Sequence, residues 1–349
     1  MTKPKLLFLL RQKQGQSLWA NSTSKKPGLS NSVETLVKAL EDAGLDVHLH
    51  DVPDYNFIHT ALCEIKPDIL VMEAYWVKPG KIELLKTLHP NVKWIVRNHS
   101  EVPFLAEEGM AGIWNCEYLK MNVEISNVSE RTVDDLSPLV DNLRVSPTLL
   151  SHLPNVYCSH YVERSPVKSV PKDDIHVGCF GAVRSMKNHV EQAMAAIAYA
   201  NKTGRKLFFH INGTRVEGNG SQPLKYLQGM FMRLNNCELV EHPWMDKEQF
   251  YRLLRTQIDV LLQCSLTESF NIVAADAVIC SVPVIASDEV RWLGKHYHAC
   301  PTSAFDICNH LTNLFAGGDD YLKACVSDQL NDLDRYNERS LKVWINRFG

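Results

Sequence analysis

The chain is expected to be an α/β protein made of two Rossmann-like, doubly wound domains, and three observations lead there. Short apolar runs of strand character alternate with helical-period segments from residue 5 to residue 286, the pattern of mostly parallel sheets with helical crossovers. The 349 residues exceed one ordinary domain and suit two of roughly 150–180 residues each. Between the two runs of alternation, residues 153–174 carry Pro154, Pro166 and Pro171 among Ser, Lys and Asp, the composition of a linker. The expected division is residues 1–155 as a first domain, 156–174 as linker, 175–328 as a second domain and 329–349 as a closing helix.

In chain order, strands are expected at residues 5–10, 47–51, 69–73, 93–97, 122–126 and 143–146. Val33, Leu36, Val37 and Leu40 mark one face of a helix over residues 30–44, with Asn31 and Glu34 as its capping box and Gly44 after its last turn. Residues 103–114 read as one apolar and acidic helix, without the basic amphipathic face of a membrane-docking segment. In the second domain, strands are expected at 177–180, 206–211, 238–240, 258–262 and 283–286. Asn188 with Glu191, and Asp246 with Gln249, read as further helix caps; residues 270–279 and 330–348 read as helices.

Composition narrows the function. Hydrophobic residues make up 45% and charged residues 22%, a globular balance, and the net charge of −3 disfavours a globally basic nucleic-acid binder. Ten cysteines without a C-x-x-C pair point to reduced thiols and a cytoplasmic location, and no ligand set stands at zinc-site spacing. His48 and His50 share a strand face but have no third and fourth partner, so no metal is expected. The apolar run at residues 6–10 is too short for a signal core or a membrane span. Neither G-x-G-x-x-G after the first strand nor a G-x-S-x-G elbow is present, against a nicotinamide enzyme or a hydrolase of those types. Asp332-Leu333-Asp334 imitates a metal-binding D-x-D but falls in the closing helix.

The chemistry concentrates in two stretches of the second domain. In the first, the apolar run at 258–262 is followed by Glu268-Ser269-Phe270-Asn271-Ile272 at the start of a helix that continues to Asp276. A helix N-terminus offers unpaired N–H groups and the positive end of a dipole, which suits phosphate. Glu268 and Asp276, eight positions apart, lie a little over two turns from one another and can address hydroxyls of one ligand. Together these make a grip for a nucleotide sugar. The second stretch, Phe180-Gly181-Ala182-Val183-Arg184-Ser185-Met186-Lys187-Asn188, joins a strand to a helix, with Gly181 for a tight turn and two cations that suit a diphosphate leaving group. Taken separately, each stretch has a plainer reading, a surface acid and a solvated basic turn.

Taken together, the two stretches resemble the donor site of retaining glycosyltransferases of the GT-B fold, family four, also called glycosyl transferases group 1. The acidic pair is similar to that family's E-x7-E, with Asp276 in place of the second Glu and Ser281 where Gly is usual before Val282-Pro283-Val284-Ile285. The resemblance implies two Rossmann-like domains with the active site in the cleft between them. It also implies a nucleoside-diphosphate sugar as co-substrate, a UDP-sugar first among them, and no permanently bound cofactor. By resemblance, Arg184 and Lys187 neutralise the diphosphate, Glu268 faces the donor sugar and Asp276 the ribose. Gly181, Gly213, Ser269, Phe270, Asn271 and Ile272 complete the donor set, and Leu153-Pro154-Asn155 matches the turn that ends the first domain. His99, after the strand at 93–97, corresponds to a histidine near the reacting carbon, and Gly15 belongs to a loop that touches the ligands. Transfer would be retaining and metal-independent.

The acceptor is less legible. Residues 1–33 hold six cations and no acid. Arg11, Lys13, Lys25 and Lys26, with Trp19 for stacking, point to an anionic acceptor, hydroxymethylated DNA being one example, against the alternative of a solvated loop. Two other functions stay open: an epimerase or phosphorylase of the same fold, and a non-catalytic sugar-nucleotide-binding subunit.

Overall fold

The structure is a computed structural model that describes residues 3–11, 28–158 and 165–349. Two compact units emerge, one formed by Met1–Cys158 with Asn337–Gly349, the other by Ser159–Tyr336.

The first unit is a six-stranded parallel sheet in the order β2-β1-β3-β4-β5-β6. Its strands are β1 (Lys5–Arg11), β2 (Asp46–Val52), β3 (Ile69–Glu73), β4 (Lys93–Asn98), β5 (Glu124–Asn127) and β6 (Leu150–His152). The helices between them are α1 (Gly28–Asp42), α2 (Ile58–Ile65), α3 (Pro79–Leu88), α4 (Val102–Glu108), α5 (Met110–Lys120) and α6 (Glu130–Leu143). Period-two alternation decides which face each side chain serves. Leu6, Phe8 and Leu10 meet α1, Trp344 and Phe348 on one face, while Leu7 and Leu9 meet α2, α3 and α5 on the other.

The second unit is a five-stranded parallel sheet in the order β11-β10-β7-β8-β9. Its strands are β7 (Asp174–Val183), β8 (Lys206–Val216), β9 (Cys237–Glu241), β10 (Val260–Gln263) and β11 (Val284–Ala286). The helices are α7 (His189–Thr203), α8 (Ser221–Phe231), α9 (Lys247–Thr256), α10 (Ile272–Ile279), α11 (Ala304–Ala316) and the first part of α12 (Gly318–Phe348), whose residues from Asn337 on belong to the first unit. The expected fold class, two doubly wound parallel α/β sheets, is the observed one.

Several local expectations are corrected. The sixth strand is at Leu150–His152, not 143–146, because α6 runs to Leu143 and Ser146 then caps a short 3-10 turn. Asn31 lies inside α1, which is described from Gly28 on, so it is not the residue before the helix, and its carbonyl accepts from the Thr35 hydroxyl. The 103–114 segment is two helices broken at Gly109, whose φ of 66° is the left-handed region that glycine adopts at little cost. Asn188 precedes α7 without a side-chain cap; its amide donates to the carbonyls of Cys264 and Pro301 instead. Asp246 does cap α9, accepting from the Gln249 N–H at 2.8 Å. The final helix begins at Gly318, a full three turns before residue 330.

The ten cysteines are free thiols, and among the described residues no helix is long and apolar enough to cross a membrane.

Candidate active site

In the second sheet, β7 leads to β8 and β9 on one side, and the chain then returns to β10 and β11 on the other. The strand order therefore reverses between β7 and β10, the place where open α/β sheets bind ligands at the carboxyl ends of their strands. Both charged stretches end there. Arg184 to Lys187 follow β7, and Glu268 to Asn271 follow β10.

The two loops are joined by direct contacts. Lys187 Nζ donates to Glu268 Oε1, with both side chains only 11% and 10% exposed. The Leu266 N–H donates to the Met186 carbonyl at 2.9 Å. Asn271 adopts a left-handed conformation at φ 65° and caps α10 through the Ala274 N–H at 2.9 Å. Its amide donates to Glu268 Oε1 at 3.1 Å and to Gln263 Oε1 at 2.9 Å. That geometry leaves the N–H groups of Ile272 and Val273, the first two of the helix, without an intrahelical acceptor. Phe270 is anchored by the Trp292 indole N–H, which donates to its carbonyl at 2.7 Å. The backbone N–H of Glu268 meets Glu289 Oε2 at 3.3 Å, and Ser269 lies half-buried in the same loop.

Arg184 opens the other loop, with Nη1 3.8 Å from Glu217 Oε2. Glu217 also takes Arg215 Nη2 at 2.6 Å, and the Arg215 guanidinium lies 4.0 Å from the centre of the Trp244 ring. Gly181, at φ 113°, interrupts the β7–β8 register and donates its N–H to Asn212 Oδ1 at 3.0 Å. At Gly213 a Cβ would fall 2.1 Å from Glu241 Oε2 and 2.9 Å from Glu241 Cβ, so any other residue there requires the Glu241 side chain to move.

Asp276 is buried in α10 and accepts from the Tyr251 hydroxyl of α9 at 2.8 Å. This partner was not legible in the sequence. Asp276→Ala is expected to lower stability by about 1–3 kcal/mol, because it removes the carboxylate that accepts from a buried tyrosine hydroxyl. The double variant with Tyr251→Phe is expected to cost less than the sum of the two single changes. Denaturant titration of all three checks this; strict additivity would show that the bond contributes nothing. Calorimetric titration of Asp276→Ala with UDP tests the expected ribose contact separately, and an unchanged affinity rules that contact out.

In the first unit, β3 and β4 carry a buried charged group that sequence reading reached only in part. His99 Nε2 lies 2.5 Å from Glu73 Oε2, and Arg97 Nη1 lies 3.2 Å from the same oxygen. Burial by itself raises the Glu73 carboxyl, but Arg97 and His99 outweigh it and hold the group below the usual glutamate value. Burial pushes His99 below its ordinary value, so at neutral pH it is a neutral imidazole that donates from Nε2 to a carboxylate. Arg97 is fully buried, donates to the Leu153 carbonyl at 3.0 Å and to Asn155 Oδ1 at 2.7 Å, and so ties the Leu-Pro-Asn turn to the sheet. Ala74, just after Glu73, has a φ of 69°, unusual for a non-glycine residue.

The remaining acceptor-side candidates divide. Arg11 ends β1 and is exposed, whereas Lys13, Gly15, Trp19, Lys25 and Lys26 lie outside the described residues. Lys3 and Lys5, at the other end of β1, donate to the carbonyls of Gly44 and Ile65.

Residues 163–293 match the family described as glycosyl transferases group 1. Among solved structures, the chain is similar to a glycosyltransferase from Rickettsia africae, at 14% identity and a TM-score of 0.67, covering 100% of this chain and 98% of that one. It is similar to a sucrose-phosphate synthase from Thermosynechococcus elongatus, at 14% identity and a TM-score of 0.68, covering 98% of each chain. The Anabaena HepE protein in complex with UDP-glucose shares 13% identity at a TM-score of 0.64, over 98% of this chain and 100% of that one. No curated protein matches the sequence.

Proposed function

We propose, for a chain that carries a glycosyl transferases group 1 domain on a GT-B fold and is a glycosyltransferase, that it moves a sugar from a UDP-sugar to a hydroxyl acceptor with retention and without metal. One observation carries the donor assignment: Arg184, Lys187, Glu268 and the start of α10 converge at the strand-order reversal between β7 and β10. A diphosphate placed there competes with Glu268 for Lys187 and with Glu217 for Arg184. The N–H groups of Ile272 and Val273 add donors from the helix end. Glu268, released from Lys187, is then available to the sugar hydroxyls, and Asp276 is assigned to the ribose. His99, oriented by Glu73, is the residue of the first unit that we assign to the reaction.

The bond that breaks joins the anomeric carbon to a β-phosphate oxygen, and its electron pair stays on that oxygen. The bond that forms joins the same carbon to the acceptor oxygen, whose proton passes to the departing phosphate. No protein base is needed, and Arg184 and Lys187 stabilise the charge that builds on the diphosphate. The preference for uridine is supported by the HepE structure, which holds UDP-glucose in a protein of the same fold.

Mass spectrometry of the protein with UDP-, GDP- and ADP-sugars, followed by an acceptor screen, tests the reading. Binding without hydrolysis or transfer to any acceptor would favour a non-catalytic subunit, and an isomerised or phosphorolysed sugar would favour the epimerase or phosphorylase alternatives. Two cations and a helix end already neutralise the leaving group, so transfer is expected to persist in excess EDTA. Loss with chelator that Mg²⁺ or Mn²⁺ restores would mean that the site works differently.

The acceptor is proposed to be anionic, with modified DNA as one example, on the strength of the cation-rich, acid-free residues 1–33. Lys3 and Lys5 are committed to carbonyls, which leaves Arg11, Lys13, Lys25 and Lys26 for this role. If these four meet phosphates, affinity for DNA falls about a hundredfold between roughly 50 and 200 mM salt, with a log–log slope near −0.9 per contact. A flat salt dependence removes nucleic acid from consideration.

A further inference from the structure

His59 and Cys63 are four residues apart on α2, and His89 ends α3. Their places follow from how the two helices pack. Ile58, Ala61 and Leu62 of α2, with Ile82 and Leu85 of α3, are buried against one face of the first sheet. Helical spacing turns His59 and Cys63 together toward the outer side, where both are exposed. His89 is held in place as its N–H donates to the Leu85 carbonyl.

His59 Nδ1 lies 2.9 Å from His89 Nε2 and 4.0 Å from Cys63 Sγ, and one ligand atom from each of the three residues falls within 4.8 Å of the other two. A tetrahedral zinc ion with ordinary bond lengths needs about 3.3 Å between two nitrogens and about 3.6 Å between a nitrogen and a sulfur. The His59–His89 and His59–Cys63 separations lie within about 0.4 Å of those values, His89 and Cys63 are within 4.8 Å of each other, and the side chains of His59 and Cys63, both exposed, can take up the difference. Two imidazoles and a thiol suit Zn²⁺ and are poor ligands for Mg²⁺ or Ca²⁺.

We propose that His59, Cys63 and His89 form a surface Zn²⁺ site that clips α2 to α3, with water in the fourth position. Sequence spacing did not reveal it. His59 and Cys63 are a pair at helical spacing, but the third ligand comes 26 residues after Cys63, beyond a strand and a whole helix. On binding, the Cys63 thiol releases its proton and the thiolate bonds to the metal. The imidazole that donated the His59–His89 hydrogen bond moves its proton to its other nitrogen, so about one proton leaves per Zn²⁺ near neutral pH. The site takes no part in the transfer reaction.

The test is titration of the reduced, metal-free chain with Co²⁺, then displacement by Zn²⁺. One Co²⁺ per chain with a thiolate-to-cobalt charge-transfer absorption is expected. The absorption is expected to vanish in Cys63→Ser and to survive in Cys300→Ser, which alters another exposed thiol. His89→Ala is expected to weaken Zn²⁺ binding by at least about tenfold. The changed side chains lie at the outer side of the helices, so circular dichroism of each variant should match the parent. Should a variant misfold, release of about one proton per bound Zn²⁺ by the native chain decides the matter. Absence of stoichiometric binding at micromolar metal, persistence of the absorption in folded Cys63→Ser, unchanged affinity in folded His89→Ala, or no proton release would each overturn the site.

Discussion

Replacing Arg184 and Lys187 together by alanine is expected to lower kcat/KM for sugar transfer by about 10²–10⁴. In the proposed site each cation supplies a charge-assisted hydrogen bond to the diphosphate, about 1.5–3 kcal/mol apiece. The pair therefore contributes about 3–6 kcal/mol to the transition state, where charge on the leaving group is greatest. The two single variants should not behave alike. Lys187→Ala leaves the nearly buried Glu268 carboxylate without its cation, whereas Arg184→Ala leaves Glu217 still paired with Arg215. Lys187→Ala is thus expected to lose stability as well as rate, and Arg184→Ala mainly rate. Adding Glu268→Gln to Lys187→Ala should recover stability without recovering transfer, which separates the folding role of the ion pair from its chemistry. A folded double alanine variant that keeps the full transfer rate ends the diphosphate assignment.

Stability should fall by about 4 kcal/mol between pH 7 and pH 5 through two buried histidines alone. His210 lies between two others, its Nε2 2.9 Å from His176 Nδ1 and its Nδ1 2.9 Å from His242 Nε2. Burial, together with His242 and His176, pushes His210 down to about 3. His189, the first residue of α7, is pushed down to about 3 by burial and by Lys187 and Arg184 beside it. The unfolded chain binds these two protons as the pH falls through about 6.5, and the folded chain refuses them until about pH 3. Stability due to this difference is intact above the unfolded value and declines as acid is added, by about 1.4 kcal/mol per pH unit for each group. Neither His189 nitrogen has a hydrogen-bond partner among the described residues, so His189→Leu gives up no bond. The variant should remove about 2 kcal/mol of the decline. Urea denaturation of parent and variant at pH 7, 6 and 5 measures it, and parallel curves would show that His189 is protonated in the folded state.

The two stretches proposed to carry the donor chemistry were legible because their signals are local. Gly181, Arg184, Lys187, Glu268 and Asn271 follow apolar runs that read as buried strands, and the alternation of strand and helix places such loops at strand carboxyl ends. The Ser281 position was also marked in advance. It takes a left-handed φ of 61°, which explains why a glycine is usual there, and its hydroxyl donates to the Ser165 carbonyl at 2.7 Å.

By itself, then, the sequence determined the α/β class, most strand positions and the Asp246 cap, and it supplied the residues proposed to meet a diphosphate. All of these depend on side-chain period and on neighbours a few residues apart. Only the tertiary structure decided that Lys187 meets Glu268, that Tyr251 holds Asp276, that Glu73 orients His99, and that His89 completes a set with His59 and Cys63. It likewise decided that Asn188 serves Cys264 and Pro301 instead of capping α7, and that the sixth strand waits until Leu150. For the side-chain partners the physical reason is the same. In a parallel sheet every neighbouring strand is reached through a crossover, so the partner of a side chain is set by strand order, and strand order leaves no trace in local periodicity.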